Sequence, residues 1–397
     1  MKNKIIIISS YPEKNQIHGS KTVGGASYTK NLLIKMKRNN PDLSITVLAE
    51  MLNRDTESYK EKEIRIERIW KRNSPTKILT MIGKVFKNPI KRILISYEIN
   101  MMGGVLTNII FLISLLALKV TGKDIYFLPH QVPGNFGDLE QNKFKIAFLN
   151  LFKNLFFIYV SLISKEVIVF EDKFKEFLPL NKNASVIPLA IEKKQLIDQD
   201  YARSKLGLDK NSFYILFFGF LSPYKGIDRL LNIYKPNFGK LIVAGDTNPN
   251  HTSIIKYMEF VSNVKKEARE KDAIVTGFVK ENEIDLYFAA CNLVILPYRM
   301  FFSSSYPMAL AFTANKPVLF SKPLEGYFQS EDFKSALIDS GLTKDQFIFD
   351  FNSKNLSKKI NFLKKNNNKT TKFIKHIKNN RSWENIIYKF SKLLEIM

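Results

Sequence analysis

The feature that most constrains this chain is an alternation of short apolar runs with helical patterns, which runs through once and then restarts. In the first half the strand-like runs are Ile5–Ser9, Ser44–Ala49, Ile64–Trp70, Arg92–Tyr97, Ile125–Leu128, Val167–Phe170 and Ser185–Pro188. Between the first two, Tyr28, Leu32, Leu33 and Met36 recur at helical spacing and share one face. The second half repeats the scheme with Phe213–Phe218, Lys240–Ala244, Ala273–Thr276, Leu293–Leu296 and Pro317–Phe320, separated by helical patterns over Asp228–Tyr234, Thr252–Lys271 and Ile284–Ala290. Continuous apolar strands are buried on both faces, as in parallel sheets covered by helices. The expected fold class is α/β, with two Rossmann-like doubly wound domains facing across a cleft. The expected division is 1–191 and 192–380, with the polar stretch Glu192 to Asp209 as linker and a final helix around Trp383 to Leu394. The length of 397 residues suits two domains of roughly 100–200 residues each.

Composition narrows the function. A single cysteine, Cys291, excludes an internal disulfide framework and a Cys-rich zinc site. The four histidines, His18, His130, His251 and His376, are scattered. The expectation is a reducing, cytoplasmic setting without a signal peptide, because Ile5-Ile6-Ile7-Ile8 soon meets Pro12 and charge. A formal charge of +24 calls for an anionic partner. Lys71 to Arg92 holds seven basic residues and no acid, interleaved with Ile78, Leu79, Ile82, Val85, Phe86 and Ile90. That pattern reads as a basic amphipathic helix for an anionic membrane surface, or as an ordinary helix packing its apolar face on a core. Lys354 to Lys378, with nine lysines and no acid, reads as a solvated face. No nucleic-acid-binding motif occurs, so nucleic acid is not an expected partner.

Ile99 to Leu118 is uncharged over 20 residues, but Gly103-Gly104 starts the helix near Val105. The remaining ~21 Å of helix is short of a bilayer core, so a buried core helix is expected, with membrane insertion as the alternative. Phe144 to Ile163 is apolar but interrupted by Lys145, Lys153 and Asn154, which suits a core or interfacial helix.

In doubly wound sheets ligands bind beyond the carboxyl ends of the strands. Three loops there carry chemistry. Phe217-Phe218-Gly219 runs through Phe220-Leu221-Ser222-Pro223 into Tyr224-Lys225-Gly226, so a lysine opens a helix where it can meet phosphate oxygens. Leu296-Pro297-Tyr298-Arg299 leads into Ser303-Ser304-Ser305-Tyr306, a hydroxyl-rich helix start suited to a diphosphate, although Ser305 also fits a plain N-cap. Thr22-Val23-Gly24-Gly25-Ala26-Ser27 follows the first strand and lets backbone approach a ligand closely. Glu98 and Asn100, after the Arg92–Tyr97 strand, face the same cleft as acceptor-side candidates.

With these residues in order, the chain resembles the GT-B glycosyltransferases, and family 4 in particular. The resemblance rests on Gly24-Gly25, Phe127-Leu128-Pro129-His130, Val186-Ile187-Pro188, Leu206-Gly207-Leu208, Pro223-Tyr224-Lys225-Gly226, Val243-Ala244-Gly245-Asp246, Thr276-Gly277-Phe278-Val279, Leu296-Pro297-Tyr298 and Ser382-Trp383-Glu384. It implies retaining transfer of a hexosyl unit from a nucleotide-diphosphate sugar, UDP- or GDP-linked, with no metal or other cofactor. The basic amphipathic and apolar helical patterns of the N-terminal half suggest a lipid-linked or polysaccharide acceptor, used by a peripherally bound enzyme at the cytoplasmic face of an anionic membrane. The resemblance further implies that the C-terminal domain binds the nucleotide, and that the last helix, 381–397, returns to the N-terminal domain. Lys225 matches the family's diphosphate lysine, Ser304 and Ser305 its phosphate loop, Gly25 the glycine facing the donor phosphates and His130 the histidine lining the sugar site. Phe278 and Val279 match the segment that meets the base.

Three departures stand out. The arginine expected just before the lysine loop falls on Phe220 or Ser222, and the usual glutamate pair falls on Phe302 and Leu310, with Ser303 and Ser305 in place of glycines. Arg299 is the candidate replacement for the missing positive charge. Asp198-Gln199-Asp200 has a metal-site form but lies in a polar stretch, so no metal role is expected. Two rival activities stay open, a nucleotide-sugar epimerase and a catalytically silent GT-B partner module.

Overall fold

The computed structural model describes residues 3–17, 24–99, 101–138, 140, 142–248 and 251–396. The first sheet contains β1 (Lys4–Ser9), β2 (Ser44–Glu50), β3 (Glu57–Glu61), β4 (Ile64–Trp70), β5 (Arg92–Tyr97), β6 (Asp124–Pro129), β7 (Glu166–Val169) and β8 (Ala184–Val186), in the order β3-β4-β2-β1-β5-β6-β7-β8. All its pairings are parallel except that of β3 with β4. The second sheet contains β9 (Tyr214–Phe218), β10 (Lys240–Ala244), β11 (Ile274–Gly277), β12 (Leu293–Leu296), β13 (Val318–Ser321) and β14 (Ile348–Phe349), all parallel, in the order β11-β10-β9-β12-β13-β14.

The helices in chain order are α1 (Gly24–Asn39), α2 (Pro75–Lys87), α3 (Val105–Val120), α4 (Lys143–Ile163), α5 (Asp172–Glu176), α6 (Gln199–Lys205) and α7 (Ile227–Ile233). They continue with α8 (Ile255–Glu270), α9 (Ile284–Ala290), α10 (Tyr306–Thr313), α11 (Glu331–Ser340), α12 (Ser353–Lys365), α13 (Asn367–Asn380) and α14 (Trp383–Leu393). The central strands are apolar along most of their length, and Ile5, Ile7, Ile93, Leu94, Leu216 and Val294 are fully buried, as two-sided coverage requires. The final helix packs on α1, with the Trp383 ring stacked 6.0 Å from that of Tyr28.

The structure departs from the sequence reading in five places. Strand β3 is too polar to read as a strand, and it pairs as an exposed charged edge. The stretch expected as linker contains α6, whose Ala202 packs on Ala289 and Ala290 of α9. The lysine-rich tract is not merely solvated. It forms α12 and α13, which bury Leu356, Ile360 and Leu363, and Phe373, Ile374 and Ile377, because apolar residues recur at helical spacing between the lysines. Helix α2 spends its apolar face on the core through Ile78, Met81, Ile82 and Val85, so that face is not free for lipid. Helix α3, expected to be a buried core helix, is buried on one side only through Thr107, Phe111, Ser114, Leu115 and Leu118.

Candidate active site

Each sheet reverses its direction of strand addition once, between β1 and β5 in the first and between β9 and β12 in the second. Loops diverge at such a point and leave a crevice. The lysine loop and the hydroxyl-rich loop follow β9 and β12, so they flank the second crevice. The first is flanked by the loops after β1 and β5.

Lys225 closes a short turn after β9, and its backbone N–H donates to Ser222 O at 2.9 Å. Gly226 follows with φ 66°, where a Cβ would lie 2.0 Å from Pro297 O, so glycine is required for the turn to seat on the loop after β12. The Lys225 side chain is 8% exposed and has no acidic partner among the described residues. Its Nζ packs over Gly219, 2.4 Å from where a Cβ would stand, and 5.9 Å from the Tyr298 ring centre. Burial pulls its pKa down to about 8. A buried cation with no counter-charge is a cost that a bound anion would relieve.

In the loop after β12 the serines have different partners. Ser305 is the N-cap of α10. Its hydroxyl accepts from Met308 N–H and lies 3.1 Å from the Tyr298 hydroxyl, while its own N–H donates to the Tyr327 hydroxyl at 2.7 Å. Ser304 Oγ donates to Glu171 Oε1 at 2.8 Å, across to the end of the first sheet. Ser303 is half-buried and its side chain hydrogen-bonds Tyr224. Tyr306 opens α10 exposed. Arg299 is turned to an ion pair with Asp228 of α7, so its charge is already matched within the protein. Phe278 is exposed and Val279 buried just after β11, where Gly277 takes φ 74° and the Asp246 carboxylate accepts a hydrogen bond from the Phe278 backbone.

In the first crevice, the Gly25 N–H at the start of α1 donates to Glu98 Oε1 at 2.8 Å. A Cβ on Gly25 would lie 2.2 Å from that oxygen, whereas one on Gly24 would meet nothing within 4 Å. Burial raises the Glu98 pKa to about 7, against the pull of the Gly25 hydrogen bond. Asn100, Thr22 and Val23 lie outside the described residues. His130 stands just past the end of β6, half-buried against the rings of Tyr28 and Phe170. Burial lowers its pKa to about 3, so the ring is neutral.

The tautomer follows from counting donors. Thr29 Oγ1 donates to Gly25 O at 2.8 Å, so the 2.6 Å contact with Ser96 Oγ takes the Ser96 proton. Ser96 Oγ must then accept from His130 Nε2 at 2.7 Å. The proton sits on Nε2, and Nδ1 keeps its lone pair with no partner among the described residues.

The two crevices meet. Val132 N–H, two residues past His130, donates to Phe302 O at 2.7 Å, which joins the loop after β6 to the hydroxyl-rich loop. Glu171 holds Ser304 and is itself held by Arg381. Sequence reading missed Ser96, Thr29, Glu171, Arg381 and Tyr327. Ser96 left a signal as a polar residue in the apolar strand Arg92–Tyr97, and Arg381 left one by preceding Ser382-Trp383-Glu384. The others left none, since their roles depend on distant partners. Asp198 is an N-cap, accepting from Tyr201 N–H at 2.8 Å, and no group of three metal-ligating side chains occurs among the described residues.

Residues 198–380 match the family described as glycosyl transferases group 1. A GDP-mannose:glycolipid 4-beta-D-mannosyltransferase from Xanthomonas campestris is 28% identical over 109 residues, 26% of this chain and 29% of that protein's length. Among solved structures, a sucrose-phosphate synthase from Thermosynechococcus elongatus aligns over 98% of both chains with a TM-score of 0.70 and 14% identity. The HepE protein of Anabaena in complex with UDP-glucose aligns over 99% of this chain and 100% of that one, with a TM-score of 0.65 and 15% identity. The chain therefore has the GT-B fold of two Rossmann-like domains, and its C-terminal domain matches the group 1 glycosyltransferase family over residues 198–380.

Proposed function

We propose that this chain transfers a hexosyl unit, with retention, from a UDP- or GDP-linked sugar to a lipid-linked or glycan acceptor at the cytoplasmic face of a membrane. The observation that carries the reading is Lys225, a buried cation with no acidic partner among the described residues, at the crevice between β9 and β12. Charge builds on the nucleoside diphosphate as it leaves. A cation held in a low-dielectric site opposes that charge strongly, and in this reading no metal is required. The bond from the sugar C1 to the diphosphate oxygen breaks, a bond from C1 to the acceptor oxygen forms, and the acceptor proton passes to the leaving phosphate.

The other roles in this reading join the family resemblance to the positions described above. Phe278 and Val279 border the base. The hydroxyl-rich loop with Ser303, Ser304 and Tyr306 borders the phosphates, while Ser305 shapes the loop as its N-cap. Gly24 and Gly25 let backbone approach the donor. His130, neutral and with Nδ1 free, accepts a hydrogen bond from a sugar hydroxyl and so positions the ring. Arg299 acts through Asp228 to fix the lysine loop against the loop after β12. Glu98 stands on the acceptor side with Asn100. The Xanthomonas relative names GDP-mannose and a glycolipid, and the Anabaena complex holds UDP-glucose, which supports this class of donor and acceptor.

The test is thermal unfolding with UDP, GDP, ADP, TDP and CMP, beside a Lys225→Ala variant. One nucleotide should stabilise the wild type by about 2.7 kcal/mol at 100 times its dissociation constant and leave the variant unmoved. Equal stabilisation of both proteins would sink the assignment of Lys225. A catalytically silent partner module, the reading favoured by Leu310 at the usual glutamate position, would bind nucleotide without turnover. A nucleotide-sugar epimerase would convert the donor with no acceptor present.

A further inference from the structure

An extended apolar feature outside the crevices is the outward side of α3 and α4. These helices lie beside α2 along one face of the first sheet. Helix α3 turns Phe111, Leu115 and Leu118 inward and leaves Leu106, Ile109 and Ile113 in solvent. Helix α4 buries Phe157, Val160 and Ile163 near its C-terminal end, while its first three turns present Phe144, Phe148 and Phe152, with Phe144 90% exposed. This is a run of large side chains that stay exposed although Phe148 and Phe152 stack on each other at 6.5 Å, denser than the scattered apolar residues of an ordinary surface.

The charge around it identifies the occupant. Lys77, Lys87, Lys119 and Lys143, on the three helices, have no acidic partner among the described residues. Acids nearby in sequence are engaged elsewhere, Glu67 with Lys84, Asp124 with Lys165, Glu140 with Lys145 and Glu98 with the Gly25 N–H. An apolar face rimmed by unpaired lysines is complementary to anionic headgroups over acyl chains. A second copy of a chain carrying +24 would present the same lysines and be repelled.

We propose that the outward faces of α3 and α4 seat on an anionic lipid bilayer, with the lysines of α2, α3 and α4 at headgroup level. The surface lies on the helices rather than spanning through them. Helix α4 has the 21 residues needed to cross, but Phe157, Val160 and Ile163 are packed in the domain and would have to leave it. Helices in a doubly wound sheet begin near the carboxyl ends of the preceding strands. The N-terminal ends of α3 and α4 therefore follow the loops of Glu98 and His130, and the seated face runs toward the first crevice. This inference rests on the transferase reading only for its use, which is to bring a lipid-borne acceptor's polar end to that crevice. Lipid binding itself is read without any sugar.

The experiment is flotation of the full chain with phosphatidylcholine vesicles, with and without phosphatidylglycerol. The wild type should float with the anionic vesicles only, and less so at high salt. The paired substitution F148S/F152S and the paired reversal K87E/K143E should each lower the bound fraction about tenfold or more, with the unfolding temperature and the nucleotide-induced shift retained. Wild-type protein that stays in the soluble fraction, or variants that float as well as wild type, would overturn the proposal. So would a dimer in solution that F148S/F152S splits, since the face would then belong to a second copy. Failure of nucleotide binding with flotation intact would count against the transferase reading alone.

Discussion

Arg381 lays its guanidinium across both carboxylate oxygens of Glu171, Nη1 to Oε1 at 2.8 Å and Nη2 to Oε2 at 2.9 Å, with both side chains fully buried. Arg381 ends the α13 segment that leads into α14, and Glu171 stands just past β7 of the first sheet. The same arginine reaches Asp332 at the start of α11, and the same glutamate holds Ser304. One buried cluster thus ties the chain crossover, the second domain and the hydroxyl-rich loop to the first domain.

Removing Arg381 leaves two carboxylates in low dielectric with no counter-charge. Arg381→Ala should destabilise the protein by about 3–5 kcal/mol. Glu171→Gln should cost less, because an amide still accepts from Arg381 while Asp332 still neutralises it. Ser304→Ala should cost about 1 kcal/mol, the worth of one hydrogen bond. Urea unfolding of the three variants checks this ranking, and a loss below about 1 kcal/mol in Arg381→Ala would show the cluster to be incidental.

Lys225 should trade stability for binding. Its folded pKa of about 8 lies below that of an unfolded lysine, so the unfolded chain binds more protons between the two values. Stability from this group therefore rises with pH across that window, and near neutral pH the charged side chain is a full penalty. Lys225→Met should stabilise the ligand-free protein by on the order of 2 kcal/mol while abolishing the nucleotide-induced shift. Calorimetry with and without nucleotide separates the two effects.

The same group sets a pH limit on donor binding. A diphosphate needs the charged lysine, so affinity should hold below about 8 and fall above it, toward tenfold per pH unit. Lys225→Arg stays charged and should flatten that fall. Titration calorimetry near neutral pH and above the lysine's value measures it, and a wild-type affinity independent of pH would place the phosphates elsewhere.

The two adjacent glycines should behave differently. Gly25→Ala forces Glu98 to move, because the new Cβ would lie 2.2 Å from its Oε1, while Gly24→Ala meets nothing within 4 Å. Transfer should fall about tenfold or more in both, but only Gly25→Ala should also lower the unfolding temperature, because a Cβ on Gly24 crowds the donor and not the protein.

Glu98 and His130 should differ in their pH signatures. The Glu98 pKa near 7 predicts a rate that changes through neutrality and loses that inflection in Glu98→Gln. His130, with a pKa near 3, should contribute no inflection in the usual histidine range. A surviving inflection in Glu98→Gln that disappears in His130→Ala would reverse the two roles.

Much of the scaffold was legible in the sequence, because the signal for a buried parallel strand is local. Ile5–Ile8 and Leu293–Leu296 are apolar from end to end, and glycines such as Gly25 at a helix start and Gly226 at a turn sit where the chain must pass closely. The loops that carry the candidate site were readable for the same reason. Tertiary structure alone decided the partners. Glu171 meets Arg381 across 210 residues of sequence, and Arg299 meets Asp228 across 71. The His130 tautomer depends on Ser96 and Thr29, which lie on a separate strand and helix. Which sides of α3 and α4 stay exposed was likewise decided by packing, since periodicity offers a core or an interfacial helix but not which of its sides the sheet will cover. Composition is a property of a segment, whereas burial and pairing are properties of how segments pack.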